Sequence, residues 1–338
     1  MTRDSLFDIF QDVCGEAAAK WAEQGLSEEE IATRLSPEKM ADSMQCLVER
    51  AAGDHHDFFM KKRFEISHRE QIKADTFLAH QNEIWGDCFT LSETMYVMAV
   101  EAAEWYTKFV AENISNEKLA EKQYTIKALQ YMQGRCCQEF LEILYLMKLG
   151  FADCAYARWR SMYELCCSAS FIVKRGETIA KKYVKQSQTL DKSYNWANGA
   201  RKADGTELKD ARFWYIQKDC TVDPKWNEEY DLSCFINHGS PQGTFRRLCL
   251  KDDQEMVVVG QSDYGITTPA EHSAVSLQWI TSMYLNVFPS LDALAYIRVI
   301  QDWVEEIREA YFNTSDKCFG TSINYHKKAA NNTNDLEG

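Results

Sequence analysis

Apolar side chains recur at helical spacing through most of this chain. Between 116 and 150 they occupy positions i, i+3, i+4 and i+7, namely Phe140, Ile143, Leu144 and Met147. A similar amphipathic pattern runs from 82 to 113. Two helix starts carry capping signals: Ser27 with Glu30 forms a capping box, and Ser36 precedes a proline that suits a first helical position. The pattern predicts an all-α multi-helix bundle.

The segment from 152 to 174 differs from the other predicted helices because it has no polar face. One apolar stripe consists of Trp159, Met162, Tyr163 and Cys166. A different face carries Ala157, Cys167 and Phe171. A helix that is apolar on all sides is buried in the core of a globular protein. Any charged side chain on this segment is therefore of interest.

Further helices are predicted at about 177–197, 206–219, 224–238, 269–287 and 290–312. The helical pattern is interrupted near 245–260, where the β-rich run Met256–Val259 predicts a small β-hairpin or an ordered loop. We divide the chain into an N-terminal helical region (1–115), a helical core domain (116–328) and a disordered, asparagine-rich tail (329–338).

Composition supports this prediction and excludes several kinds of function. Five prolines and fifteen glycines in 338 residues favour long helices. A formal charge of −13 disfavours general coating of nucleic acids. The N-terminus lacks an apolar signal core, so the twelve cysteines are expected to be reduced, in the cytoplasm. No C-x-x-C pair occurs, and we expect no metal and no cofactor. The stretch 273–297 is too polar for a membrane span.

The first candidate for chemistry is Arg160 with Glu164, one turn apart on the apolar helix. Buried charges need partners, because an unpaired one costs several kcal/mol. Two interpretations remain open. Arg160 could grip an anion that Glu164 orients or deprotonates, or the two could form an internal ion pair that fixes helix register.

The second candidate is His238, which shares a helix face with Tyr230 and Cys234 and follows Asn237. A histidine there could act as a general acid or base. The sequence His238-Gly-Ser-Pro is also typical of a helix end, where an imidazole favours the negative end of the helix dipole. Both interpretations remain open, since a capping histidine can still face a cleft.

A third candidate is the pair Arg63 and His68, which has the R-x4-H spacing of the HEPN ribonucleases. The motif is short, and the basic run 61–63 that opens it is typical of a solvated helix face.

Two groups of residues resemble a bacterial helical family catalogued as domain-of-unknown-function family 5677. The first runs from Gly150 through Arg158, Arg160 and Glu164 to Gly176 and Tyr183. The second is Trp226-x3-Tyr230-x2-Ser233-x4-His238, and Tyr264-Gly265 resembles a third signature. The resemblance covers about residues 120–300. It implies that the arginine–glutamate helix meets the histidine-bearing helix, so that Arg160, Glu164, Tyr230, Ser233 and His238 would share one pocket.

These observations lead to one functional prediction and two alternatives. The prediction is a bacterial protein whose polar pocket binds a small anionic or phosphate-bearing ligand, with stress or phage defence as the setting that such families suggest. In this pocket His238, Glu164 and Arg160 would be the catalytic candidates, and the ligand-binding residues would be Tyr230, Ser233 and Asn237. The alternatives are a metal-independent, HEPN-like ribonuclease acting on RNA, and a non-catalytic homo-oligomeric or partner-binding module. Whether the protein is an enzyme stays open.

Overall fold

The computed structural model describes residues 6–201, 205–220, 225–237, 240–245, 247–250 and 257–320. Within these residues the chain forms twelve α-helices and one short 3-10 helix. In chain order the α-helices are α1 (Leu6–Glu23), α2 (Glu28–Arg34), α3 (Pro37–Asn113), α4 (Asn116–Glu121), α5 (Gln123–Lys148), α6 (Ala152–Arg175), α7 (Glu177–Gln186), α8 (Phe213–Asp219), α9 (Lys225–Asn237), α10 (Pro241–Phe245), α11 (Thr267–Leu285) and α12 (Leu291–Phe319). The 3-10 helix is Asn195–Ala197.

The all-α prediction is confirmed for the described residues, which contain no strand. The capping box is present, with Ser27 and Glu30 bonded to each other's backbone at the start of α2. The helix predicted from Ser36 onward does begin there, but it is longer than expected. It continues through 82–113 as a single helix of 77 residues.

The β-hairpin predicted for 245–260 is not seen. Within this stretch, residues 247–250 and 257–260 form turns, bends and irregular backbone, and residues 251–256 lie outside the described chain. The side chains of Val257 and Val259 are almost fully exposed. β-branched residues favour strands only where a sheet surface packs against them, and none of the described residues presents such a surface to these two valines. The tail 329–338 also lies outside the described residues.

Contacts divide the chain into two compact units, residues 1–75 and 76–338, and the division falls within α3. The second unit contains the main core, built on α5, α6, α11 and α12, with α9 packed against α6. From Ala152 to Ile172 only Cys154 is exposed, so α6 is the nearly all-buried helix that its sequence predicts.

Helix α11 lies directly against α6. The indole nitrogen of Trp159 donates to Ser276 Oγ at 2.9 Å, and the Cys166 thiol donates to the Ser276 carbonyl at 3.2 Å. Small polar residues such as Ser273 and Ser276 are buried here, where their size lets the two helices approach closely. Among the described residues, no helix combines the length and the apolar character needed to cross a membrane.

The reversal between α5 and α6 is made by Gly150. Its φ of +75° lies in the left-handed region that glycine adopts without steric cost. A Cβ at this position would lie 2.7 Å from the Ser262 carbonyl oxygen and would also clash with the Phe77 ring. The glycine therefore fixes where α6 begins and, with it, the positions of the charged residues along that helix.

Candidate functional site

Arg160 and Glu164 lie one turn apart on α6 and face α9, which contributes Tyr230. Arg160 Nε lies 3.1 Å from Glu164 Oε1. The same carboxylate oxygen accepts the Tyr230 hydroxyl at 2.7 Å. The guanidinium carbon lies 5.0 Å from the centre of the Tyr230 ring, a cation–π distance. The three side chains form one connected group, which we call the Arg160 site.

The Arg160 site is less buried than its sequence context predicts. The side chains of Arg160 and Glu164 are 26% and 32% exposed, so solvent reaches both. The Nε–H of Arg160 is nevertheless buried and makes no aligned hydrogen bond. The pair is therefore a partly open ion pair at the edge of the core.

Aromatic side chains surround the Arg160 site. The Tyr230 ring lies 5.1 Å from Tyr163 and 5.3 Å from Phe213, and Phe213 lies 5.8 Å from Tyr194. The Tyr163 hydroxyl donates to Asn227 Oδ1 at 2.7 Å. These rings pack around Tyr230 and so hold in place the ring on which the guanidinium stacks.

The titration of the neighbouring groups reflects this environment. Burial raises the pKa of Tyr230 well above its ordinary value, and the hydrogen bond to Glu164 raises it further, so the phenol keeps its proton. Burial, assisted by the Glu164 carboxylate and opposed by Arg160, raises the pKa of Tyr194 to about 12. Burial also raises the pKa of the Cys234 thiol, and Arg160 opposes this effect. At neutral pH the site therefore presents phenols and a thiol rather than their anions.

The other predicted site residues have different surroundings. Ser233 is fully buried, and its hydroxyl donates to the Tyr230 carbonyl of its own helix at 2.7 Å. Asn237 is exposed at the end of α9. Among the described residues, neither forms a hydrogen bond with Arg160 or Glu164. His238 lies outside the described residues, so its predicted role is neither supported nor opposed by the geometry.

A second polar cluster, which the sequence did not predict, lies deeper between α6, α9 and α11. His272 Nε2 is 3.0 Å from Glu229 Oε2, and the Tyr156 hydroxyl lies 2.9 Å from that oxygen and 2.7 Å from the Glu229 carbonyl. All three residues are buried. Burial raises the pKa of Tyr156 strongly, and the Glu229 carboxylate adds to the effect.

Three aromatic rings enclose the His272 imidazole. Its centre lies 4.5 Å from Trp226, 4.7 Å from Trp159 and 5.6 Å from Tyr156. The Nδ1 atom of His272 is buried and has no hydrogen-bond partner among the described residues. No local spacing in the sequence reveals this cluster, because two partners of His272 are 43 and 116 positions away.

A third cluster centres on Glu139 of α5, whose side chain is 1% exposed. Its Oε1 atom accepts Arg135 Nε at 2.8 Å and Ser161 Oγ at 2.9 Å, and it lies 3.1 Å from a terminal nitrogen of Arg158. Arg158 also pairs with Glu142. Part of this cluster could be predicted from the sequence, because Arg135 and Glu139 are four positions apart and therefore adjacent on one helix face.

The R-x4-H pair lies on an exposed part of α3. Both Arg63 and His68 are exposed, and Arg63 stacks on the neighbouring Phe64 ring at 4.4 Å. Five residues along a continuous helix rotate by about 140° relative to each other, so the two side chains point in different directions. This geometry gives no support to an active site built from these two residues within one chain.

One comparison with known proteins gave a result. The model of a family described as a family of unknown function (DUF5677) matches residues 127–220. Over this segment the chain is similar to that family. No curated protein and no solved structure matches the chain.

The DUF5677 match runs from α5 to the end of α8. It includes Glu139, Arg160 and Glu164, and it ends before Tyr230 and Tyr264. The family assignment is confirmed over this segment, which is shorter than the 120–300 of the sequence resemblance. The family's description supplies no activity, so function has to be argued from the site.

Proposed function

We propose that this chain binds a small anionic or phosphate-bearing ligand through Arg160. The observation that carries the proposal is a charged guanidinium that is held in place and still reachable from solvent. It stacks on Tyr230, lies beside Glu164 and is 26% exposed. Arginine is always charged in proteins, and its planar set of donors fits phosphate and carboxylate oxygens.

The surroundings favour binding because Arg160 is already ordered. Holding a flexible arginine in one rotamer costs about 2 kcal/mol of side-chain entropy. The stacking on Tyr230 already restricts Arg160 before any ligand binds. A ligand therefore gains the charge-assisted hydrogen bonds without ordering the side chain.

Glu164 is the carboxylate with which an incoming anion would compete for Arg160. Its carboxylate repels a second negative charge, but one oxygen already accepts the Tyr230 hydroxyl. An incoming anion would replace Glu164 as the partner of Arg160, and Glu164 would keep the bond from Tyr230. His238 follows the last residue of α9 in the sequence, and we propose that it contributes a titratable group to the same ligand.

The proposal is tested by thermal denaturation of the full chain with inorganic phosphate, pyrophosphate or a mononucleotide, at constant ionic strength. A ligand at about 100 times its Kd stabilises the folded state by about 2.7 kcal/mol, which corresponds to a shift in melting temperature of about 5 °C. We expect a saturable rise with at least one of these anions and a loss of that rise in Arg160→Gln.

Arg308→Gln is the matched control. Arg308 is 35% exposed and pairs with Glu271 and Glu305 at 2.7 Å, so it resembles Arg160 in burial and in ion pairing. Its variant should keep the response to the anion. If no anion stabilises the wild type, or if Arg160→Gln responds as the wild type does, Arg160 serves only as a structural ion pair and the proposal is wrong.

The role of His238 has its own test. The imidazole resonances of the wild type and of His238→Ala identify the His238 signal, which should shift on addition of the stabilising anion. An unchanged signal at saturation would remove His238 from the site and leave Arg160 in place. The bacterial origin, the cytoplasmic location and the setting in stress or phage defence stay predictions.

A further inference from the structure

A cavity of about 600 Å³ lies beside the segment that precedes α11. This volume is typical of pockets that hold small organic ligands. Its walls include residues of α3, of the segment 257–264 and of the end of α12, all within the second unit. Most of the lining is apolar and includes the aromatic side chains of Phe77, Tyr264 and Phe319. Among the lining residues, Asp263 alone carries a formal charge when His80 is neutral.

The three aromatic side chains keep open surface that a ligand can contact, because each is only half-buried. The rings of Tyr264 and Phe319 have centres 5.5 Å apart and planes inclined by 73°. Trp85 stacks on Phe319 at 5.9 Å, which holds that ring in place. Aromatic rings carry partial negative charge on their faces, so a wall of such rings attracts cations.

Asp263 supplies a full negative charge in the same cavity. Its carbonyl accepts Trp85 Nε1 at 3.0 Å, and the neighbouring Ser262 N–H donates to the Gly150 carbonyl at 3.0 Å, so the backbone here is anchored. Asp263 Oδ2 lies 3.4 Å from His80 Nε2. Within the described part of the chain Oδ1 accepts no hydrogen bond, and the side chain is 35% exposed. A ligand in the cavity can therefore reach a carboxylate oxygen that still needs a partner.

This lining favours an organic cation over the other classes of ligand. Asp263 would repel an anion. A neutral apolar ligand would remove water from the carboxylate without supplying a counter-charge, which costs free energy. A metal ion needs several ligands, and the described residues contain no group of three or more histidine, cysteine, aspartate or glutamate side chains placed to hold one. The formal charge of −13 also attracts cations from a distance.

We propose that this cavity binds a small organic ammonium cation, with the charged nitrogen beside Asp263 and the aromatic rings. The alkyl groups of the ligand contact the apolar lining. Val257 and Val259 belong to that lining and are almost fully exposed, so the cavity is open to solvent on their side. The cavity shares no residue with the Arg160 site and takes a ligand of the opposite charge, so it adds a second binding function.

Isothermal titration calorimetry of the full chain with choline chloride tests the proposal, with sodium chloride keeping the ionic strength constant. The comparison ligand is the uncharged isostere of choline, in which a carbon atom replaces the nitrogen. We expect saturable binding of choline and a Kd about tenfold higher, or more, for the isostere. Asp263→Asn keeps the shape of the side chain and should raise the Kd for choline about fivefold or more. Phe77→Leu keeps an apolar wall, removes one ring and should raise it about threefold.

Asp302→Asn is the matched control. Asp302 is 59% exposed, pairs with Arg298 and does not line the cavity. Its variant loses the same formal charge and should keep the Kd within about twofold of wild type. Arg160→Gln should bind choline as the wild type does, which separates this test from that of the anion site. Circular dichroism should show that all variants keep their helical content.

Three results would overturn the proposal. They are a wild type without saturable binding of choline, an isostere that binds as tightly as choline, and an Asp263→Asn variant with the Kd of the wild type.

Discussion

Glu139 provides the sharpest test of how the buried ion pairs contribute to stability. The substitution Glu139→Gln keeps the shape of the side chain and removes its charge. Oε1 accepts Arg135 and Ser161 and pairs with Arg158, and a bond to a charged group contributes about 1 kcal/mol more than a neutral one. Three weakened contacts would cost about 3 kcal/mol if all were fully buried.

The two arginines reduce this figure, because their side chains are 60% and 32% exposed and regain water when the carboxylate is neutralised. We therefore expect Glu139→Gln to destabilise the fold by about 1–2 kcal/mol, which corresponds to a decrease in melting temperature of about 2–4 °C. Thermal unfolding followed by tryptophan fluorescence measures this change.

Glu142→Gln is the control, since Glu142 pairs with the same Arg158 but is 40% exposed. It should cost no more than about 0.5 kcal/mol. If the Glu142 variant were as destabilised as the Glu139 variant, burial of the carboxylate would not be the source of the effect, and the estimate would be refuted.

Three further outcomes follow from the structure. Tyr230→Phe removes the hydrogen bond to Glu164 and should lower the free energy of unfolding by about 1 kcal/mol in urea titration. Burial raises the pKa of Tyr106 to about 12, so the stability from its neutral phenol is complete below pH 10 and is lost as the pH rises towards 12. Tyr106→Phe should flatten the fall in stability across that range. Thiol labelling of the native protein at neutral pH should react first with the exposed residues Cys46, Cys154 and Cys318 and leave Cys167 unmodified, because burial raises the pKa of that thiol.

The helical fold could be predicted because its signals are local. Apolar spacing and capping residues lie within a few positions of each other, and they identified α6, α9 and α11 to within two residues at each end. Helix α12 was also identified, but its end was predicted seven residues too early. The continuity of α3 was missed, because Gly53 and the polar run 54–57 weaken the helical pattern without ending the helix. The β-hairpin prediction was wrong because it rested on strand propensity alone. Two of its strand-forming residues, Val257 and Val259, are almost fully exposed.

The candidate site was predictable only in part. Arg160 and Glu164 are four positions apart, so their pairing could be read from helix geometry, and the family resemblance added Tyr230. The buried group of Tyr156, Glu229 and His272 joins three helices across separations of 43 and 73 residues. Contacts of that kind depend on how the helices pack, which one sequence does not reveal.

Helix α6 carries one member of each polar cluster within five residues. Tyr156 bonds to Glu229, Arg158 to the Glu139 group and Arg160 to the Tyr230 group. Because the three residues lie on one continuous helix, a shift of α6 on ligand binding at Arg160 would be felt at the other two clusters as well. Trp159 lies between them against His272 and Trp226, which makes its fluorescence an intrinsic reporter of changes at the adjacent Arg160 site.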